Sequence, residues 1–253
     1  MANRQAQLQS YLKELRLSTM AQACSDLALK AAREQLSHEE FLHELLRLEV
    51  EARTQRRLDR LLQESGLPRE KTFATLQSEA FPAPIRLQLD RLRDGAFLKE
   101  AVNVVTVGAP GTGKSHALAA VGHALTRLGH SVLWTTTADL VQKLLAAKRD
   151  LRLPAYLKRL DRIDALILDD IGYVQQNREE MEVLFTLLAA RYERGSVLIT
   201  TNLVFSQWET IFKDPLTTLA AVDRVVHHAV LLDMTGVPSY RAKQARQQSP
   251  LIE

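Results

Sequence analysis

The chain has 253 residues, 46% of them apolar and 25% charged, which excludes dominant disorder and calls for a sizeable core. No apolar run approaches the roughly 18–20 residues of a membrane span, the polar start Met1-Ala-Asn-Arg-Gln-Ala-Gln is no secretory signal, and the single Cys24 can close no intrachain disulfide, so a cytoplasmic protein without a membrane partner is expected. Thirty-three basic residues against thirty acidic leave a net charge of only +3, yet seven bases and two acids between Lys143 and Arg162 concentrate a local +5, the form expected of a face that holds a polyanion.

The first hundred residues carry two glycines, Gly66 and Gly95, and helical apolar spacing. Leu8, Tyr11, Leu12 and Leu15 make one stripe, and Phe41, Leu42, Leu45 and Leu46 another. Ser37-His-Glu-Glu40 reads as a capping box opening a helix that runs to about Leu62 and stops before Ser65-Gly66-Leu67-Pro68. Arg53, Arg56, Arg57 and Arg60 share one face of it, which is either a solvated face partly paired with Glu49 and Glu64 or a stripe for DNA or a partner. Phe81-Pro-Ala-Pro84 reads as a linker or a bend. The expected division is a helical domain over 1–70, a linker and lead-in over 71–100, and a core domain over 101–253.

From Ala101 onward, short β-rich runs alternate with helical stretches. Strands are expected at Ala101–Val107, Ser131–Thr136, Ile163–Asp169, Ser196–Thr201 and Val230–Met234. Helices are expected at Gly113–Leu128, Ala138–Lys148, Arg178–Glu193 and around Ser206–His228. Such alternation implies an α/β fold, a five-stranded parallel sheet between helices.

Three segments carry chemistry. Gly108-Ala-Pro-Gly-Thr-Gly-Lys-Ser115 fits G-x-x-x-x-G-K-[ST] in the required place, after an apolar strand and opening a helix. Its glycines let backbone N–H groups curl around phosphates, Lys114 should reach the β- and γ-phosphates, and the Ser115 hydroxyl should ligate Mg²⁺. Gly108, Ala109, Pro110, Gly111, Thr112, Gly113, Lys114, Ser115 and His116 are therefore the expected nucleotide-binding set. An apolar strand ending in Asp169-Asp170 supplies the second segment: Asp169 for the Mg²⁺ shell and Asp170 to orient or deprotonate the attacking water. At the end of the next strand Asn202, or alternatively Thr201, is placed to reach the γ-phosphate or the water. The pair His227-His228 shows no cysteine or close acidic ligand set, so no metal site is expected there; His116, His123 and His130 read as helix or turn residues rather than metal ligands.

These motifs resemble the IstB family, helper ATPases of insertion-sequence transposition on the DnaC/DnaA side of the AAA+ P-loop NTPases. The matching segments are Leu12-Lys-Glu-Leu-Arg-Leu17, Ser37–Leu42, Gly108–Ser115 and Leu166-Ile-Leu-Asp-Asp-Ile-Gly172, followed by Thr201-Asn-Leu-Val-Phe-Ser-Gln-Trp208, Asp223-Arg-Val-Val-His-His228 and Ser239-Tyr-Arg241. The resemblance implies ATP and Mg²⁺ as cofactors and an AAA+ ATPase domain over 101–253, with a small all-α N-terminal domain over 1–70 for assembly or a partner and a reduced C-terminal lid. It also implies sequence-independent binding and deformation of duplex DNA, self-association with ATP between subunits, and recruitment of an IstA-like transposase, with nucleoid association when DNA is bound. By motif, Arg224 corresponds to the arginine finger and Arg241 to the sensor-2 arginine, while Lys143, Lys148, Arg149, Arg152, Lys158 and Arg159 lie where the clade's DNA-binding helices precede the aspartate pair. A DnaC-type helicase loader on single strands is the alternative. A non-hydrolysing DNA-binding scaffold is a further one, against which the intact Asp169-Asp170 pair and Asn202 argue.

Overall fold

The computed structural model describes residues 2–172, 177–212 and 214–242. Lys243 and Arg246, basic residues of the C-terminal tail, lie outside the described residues. Internal contacts divide the chain into two units, Met1–Arg60 and Leu61–Glu253. Among the described residues no helix is long and apolar enough to cross a membrane.

The first unit holds α1 (Ala2–Glu14), α2 (Ser18–Glu34) and most of α3 (His38–Glu64). Its core is small: Leu12, Met20, Leu27 and Leu45, with Phe41, Leu17 and Cys24 packed against it. The expected stripes are only half right, since Leu8, Tyr11, Leu15, Leu42 and Leu46 face solvent. The expected capping box is present: Glu40 N–H donates to Ser37 Oγ at 3.2 Å, and Ser37 N–H to Glu40 Oε2 at 2.7 Å.

A buried carboxylate supplements that small core. Glu49, 2% exposed, accepts the Thr19 and Met20 amides at 2.8 and 3.1 Å and so caps the start of α2 from across the unit. Arg53 binds Glu49 at 2.8 Å and the Arg16 carbonyl at 2.8 Å, and Arg56 reaches Glu49 at 3.4 Å and Ser18 Oγ at 3.1 Å. Burial alone pushes the Glu49 carboxyl upward, but the two amides and the Arg53 guanidinium outweigh it and hold the group below its ordinary value. Of the two readings of the arginine stripe, Arg53 and Arg56 fit the first, half-exposed and paired with Glu49.

The second unit is a five-stranded sheet, all pairs parallel, in the order β2 (Val132–Thr136), β3 (Ala165–Ile171), β4 (Ser196–Thr201), β1 (Asn103–Val107), β5 (Ala229–Asp233). Strand residues alternate between two cores, as the pleat requires. Val105, Leu166 and Leu168 enter one core with α6 (Thr137–Arg149), α8 (Arg178–Arg191) and α10 (Pro215–Val226). Val104, Ala165 and Ile167 enter the other with α5 (Lys114–Arg127) and α4 (Ala83–Leu92). The remaining helices are α7 (Leu153–Leu160) and the short α9 (Glu209–Phe212).

Two expectations change. The segment read as linker and lead-in over 71–100 is folded: α4 buries Ile85, Leu89 and Leu92, and Leu76 and Phe81 join the same core. Pro82 and Pro84 do not break a helix here. They sit at its N-cap and first turn, where proline's fixed φ and missing N–H cost nothing. The third strand also runs past its acids to Ile171 rather than ending at Asp169, because a register shift between Leu168 and Ile171 lets it continue.

Two local features matter below. Helix α6 ends in a Schellman motif, with Leu151 N–H on the Lys148 carbonyl at 3.1 Å and Arg152 N–H on the Ala147 carbonyl at 2.7 Å. Arg191, 2% exposed, donates to the carbonyls of Leu160 at 2.7 Å, Ile163 at 2.8 Å and Ser196 at 3.1 Å, and its burial lowers the guanidinium to about 10.

Candidate nucleotide site

The C-terminal ends of β1, β4 and β3 lie side by side, and each delivers one piece of the site. From β1 the chain turns through Gly108–Gly113 into α5, with Gly113 as N-cap at φ 94°. Two glycines are needed by space. A Cβ on Gly108 would lie 2.7 Å from the Met234 carbonyl oxygen, and Gly111, at φ 86°, packs on Ser239 and accepts the Tyr240 N–H at 2.9 Å. The loop is thereby stitched to the segment after β5. Lys114 is buried and donates from Nζ to the Gly108 and Ala109 carbonyls at 2.8 and 2.9 Å. Burial lowers its pKa, while the negative charges of Asp170 and Asp169 work the other way.

A cavity of about 700 Å³ opens over the loop. Pro110, Gly111, Thr112, Gly113, Lys114, Ser115 and His116 line it, together with Asp170, Asn202 and Arg241. Gly108 and Ala109 contribute carbonyls behind it. His116 Nε2 sits 3.1 Å from both Thr75 Oγ1 and the Thr72 carbonyl, and burial lowers its pKa, so the neutral ring ties the lead-in to α5.

The acids are positioned by the irregularity in β3. Leu168 pairs with Ile199 and Ile171 with Thr201, so two residues of β3, Asp169 and Asp170, stand opposite Thr200 alone. Asp170 takes up the extra length at φ 59°, a region an aspartate tolerates better than most residues. Thr200 joins the two: its Oγ1 donates to Asp169 Oδ1 at 2.6 Å and accepts the Asp170 N–H at 2.8 Å. Asp169 is 9% exposed, whereas Asp170 turns into the cavity. Burial first, and then the Asp169 charge, raise the Asp170 carboxyl above its ordinary value. Thr201, the alternative to Asn202, is buried and donates to the Ile171 carbonyl at 3.0 Å, which leaves Asn202 on the cavity.

Thr200 is the residue that sequence reasoning misses. Nothing in the run Thr200-Thr201-Asn202 tells which hydroxyl meets the acids, because the bulge decides it. Lys71, Gln77 and Phe81 from the lead-in also line the cavity.

Other expected residues stand apart. Arg224 does not line the cavity. Its guanidinium lies 5.0 Å from the Phe185 ring centroid, and it donates to the Ala220 carbonyl at 2.8 Å. Lys143, Arg149, Arg152, Lys158 and Arg159 are exposed on α6, α7 and their connection, while Lys148 is paired with Glu182 at 2.9 Å. The histidine pair does have an acidic neighbour: ligand atoms of Glu193, His227 and His228, all exposed, come within 4.8 Å of one another. Glu193 is distant in sequence, so the pair could not announce it.

Comparison with known proteins agrees with this geometry. The model of the family described as IstB-like ATP binding protein matches residues 10–248. A protein of Sinorhizobium fredii named as an insertion sequence ATP-binding protein is 42% identical over 96% of this chain and 82% of its own length. The corresponding IS21 protein of Pseudomonas aeruginosa is 34% identical over 98% of this chain and 93% of its own. Among solved structures, DnaI superposes with a TM-score of 0.55 at 19% identity, covering 66% of this chain and 94% of that one, a likeness of fold. The sheet order, the P-loop between β1 and α5, and the acids on β3 are those of an AAA+ P-loop domain. The chain belongs to the IstB family of insertion-sequence ATP-binding proteins.

Proposed function

We propose that this protein is a Mg²⁺-dependent ATPase that uses ATP to assemble on duplex DNA, deforms it and recruits a transposase to it. The observation that carries the reading is the joining of Lys114, Ser115, Asp170, Asn202 and Arg241 around one cavity, with Asp169 directly behind. The donor set fits the nucleotide and its cation. A glycine cradle over a helix N-terminus suits phosphates, and a hydroxyl with a carboxylate suits a hard cation such as Mg²⁺. Ser115 and Asp169 would hold that cation, which supplies charge neutralisation of the β- and γ-phosphates when bound. Asp170 holds the attacking water, and burial beside Asp169 raises its carboxyl above the ordinary value, which makes it a stronger base than a free carboxylate. Asn202 and Arg241 fix the γ-phosphate end.

Arg224 supports the assembly part of the reading. It is away from its own chain's cavity, which suits an arginine finger offered to the cavity of a neighbouring copy. The exposed bases of α6 and α7 suit a sequence-independent hold on phosphates. The family's association with insertion sequences points to a transposase as the protein partner.

The test is steady-state ATPase activity without DNA, with duplex and with single strands, at one salt concentration, for the parent and for Lys114→Ala. Stimulation by duplex, lost in the variant, is the expected result. Preference for single strands would move the assignment to a helicase loader. Duplex binding without hydrolysis would leave a DNA-binding scaffold.

A further inference from the structure

Leu151 is 91% exposed, the most exposed of the large apolar side chains among the described residues. It also stands at φ 57°, in the left-handed region that favours glycine. Its place in the Schellman motif at the end of α6 is the one glycine usually fills. Both the solvent and the backbone would thus prefer glycine here. A position that breaks two local rules at once, with nothing packed on it in return, is where a functional demand is expected.

The surroundings say what that demand is. Leu151 sits at the three-residue connection between α6 and α7, whose helices pack on each other, so its backbone is fixed by two hydrogen bonds and two helix ends. Arg149 and Arg152 are exposed on either side of it, with Asp150 the one acid at the tip. Beyond them Lys143, Lys158 and Arg159 are exposed as well. An apolar side chain set on a fixed backbone between two exposed arginines is complementary to a duplex: the arginines meet phosphates while the leucine meets the faces of unstacked bases. Apolar wedges of this kind enter a base step and kink the helix. A protein partner would instead meet a single apolar side chain ringed by charge.

We infer that Leu151 is a wedge that enters one base step of duplex DNA and opens it, so that this corner is where the protein bends its target. The inference rests on the duplex-binding reading above and adds how deformation is achieved. The cost of opening the step is lower at flexible pyrimidine–purine steps, so bending favours TA and CA/TG steps without any base-edge contact.

The test uses the full chain with ATP and two readouts on duplexes: end-to-end energy transfer for bending, and the fluorescence of 2-aminopurine placed in the bound region for unstacking. Leu151→Gly relieves the left-handed backbone, so it is expected to melt at a higher temperature than the parent. It keeps the salt slope of duplex binding, because every cation remains, and loses the bend and the fluorescence gain. Leu151→Met, still apolar and long, keeps both signals. If Leu151→Gly bends and unstacks DNA as the parent does, the wedge is wrong. If the parent binds duplex without bending it, the wedge is wrong and duplex binding stands. If the parent binds no duplex, both fall together.

Discussion

Replacing Thr200 by valine removes one hydroxyl and almost no volume, which isolates what that hydroxyl does. It donates to Asp169 Oδ1 at 2.6 Å and accepts the Asp170 N–H at 2.8 Å. Losing a hydrogen bond to a charged group costs about 1.5–3 kcal/mol, and orphaning a partly buried amide about 1–3 kcal/mol. Asp170 is exposed to the cavity, so water recovers part of the second amount, and a net loss of about 3 kcal/mol is expected. The effect on turnover is separate. Without the hydroxyl the bulge loses the bond that joins its two acids, and a misplacement of Asp170 by about 1 Å costs on the order of 100-fold in rate. Thr200→Val should therefore bind ATP nearly as the parent does, hydrolyse it about 100-fold more slowly and unfold at lower denaturant, whereas Thr200→Ser restores both properties. The assays are nucleotide affinity by fluorescence, steady-state phosphate release, and urea unfolding. Turnover of the valine variant within about twofold of the parent would show that the bulge holds the acids without Thr200, and the argument from the hydroxyl would fail.

Three further outcomes are expected. Asp170→Asn should keep ATP bound and arrest the protein in its assembled state on DNA, seen as hydrolysis near background with slowed release of duplex. Arg224→Ala should leave ATP affinity intact and cut hydrolysis by about 1,000-fold, and mixing it with a Lys114→Ala chain should restore part of the activity if the arginine acts between copies. Glu49→Gln should destabilise the helical unit by about 1–2 kcal/mol at pH 7, measured by thermal melting. The folded-state pKa of Glu49 lies below the ordinary 4.5, so its stabilisation is full above that value and is lost as pH falls through the lowered one. The gap between parent and variant should accordingly close on acidification.

The nucleotide loop was legible because the chemistry of phosphate binding demands particular residues at fixed spacing between a strand and a helix. The three central strands were legible because both faces are buried and the runs are nearly continuous apolar stretches. What was lost depended on context. Phe81-Pro-Ala-Pro84 read as a linker or a bend, when the place of Pro82 and Pro84 ahead of Ile85, Leu89 and Leu92 makes them helix initiators. The role of Thr200 hangs on a one-residue register shift that no local pattern records. In the first unit, apolar spacing marked the helices but not their buried faces, since Leu12 turns inward while Leu8, Tyr11 and Leu15 do not. The contribution of Glu49 is invisible in sequence because its partners, Thr19 and Met20, lie about thirty residues away.

Arg191 gives the molecule an uneven stiffness. One guanidinium holds the last carbonyl of α7, the turn after it and the first carbonyl of β4, so three segments that a loop would leave compliant move as one piece. The far end of β4 carries Thr200, and Asn202 follows directly after it. A displacement at the end of α7 is therefore handed to the start of β4 rather than absorbed in the turn between them.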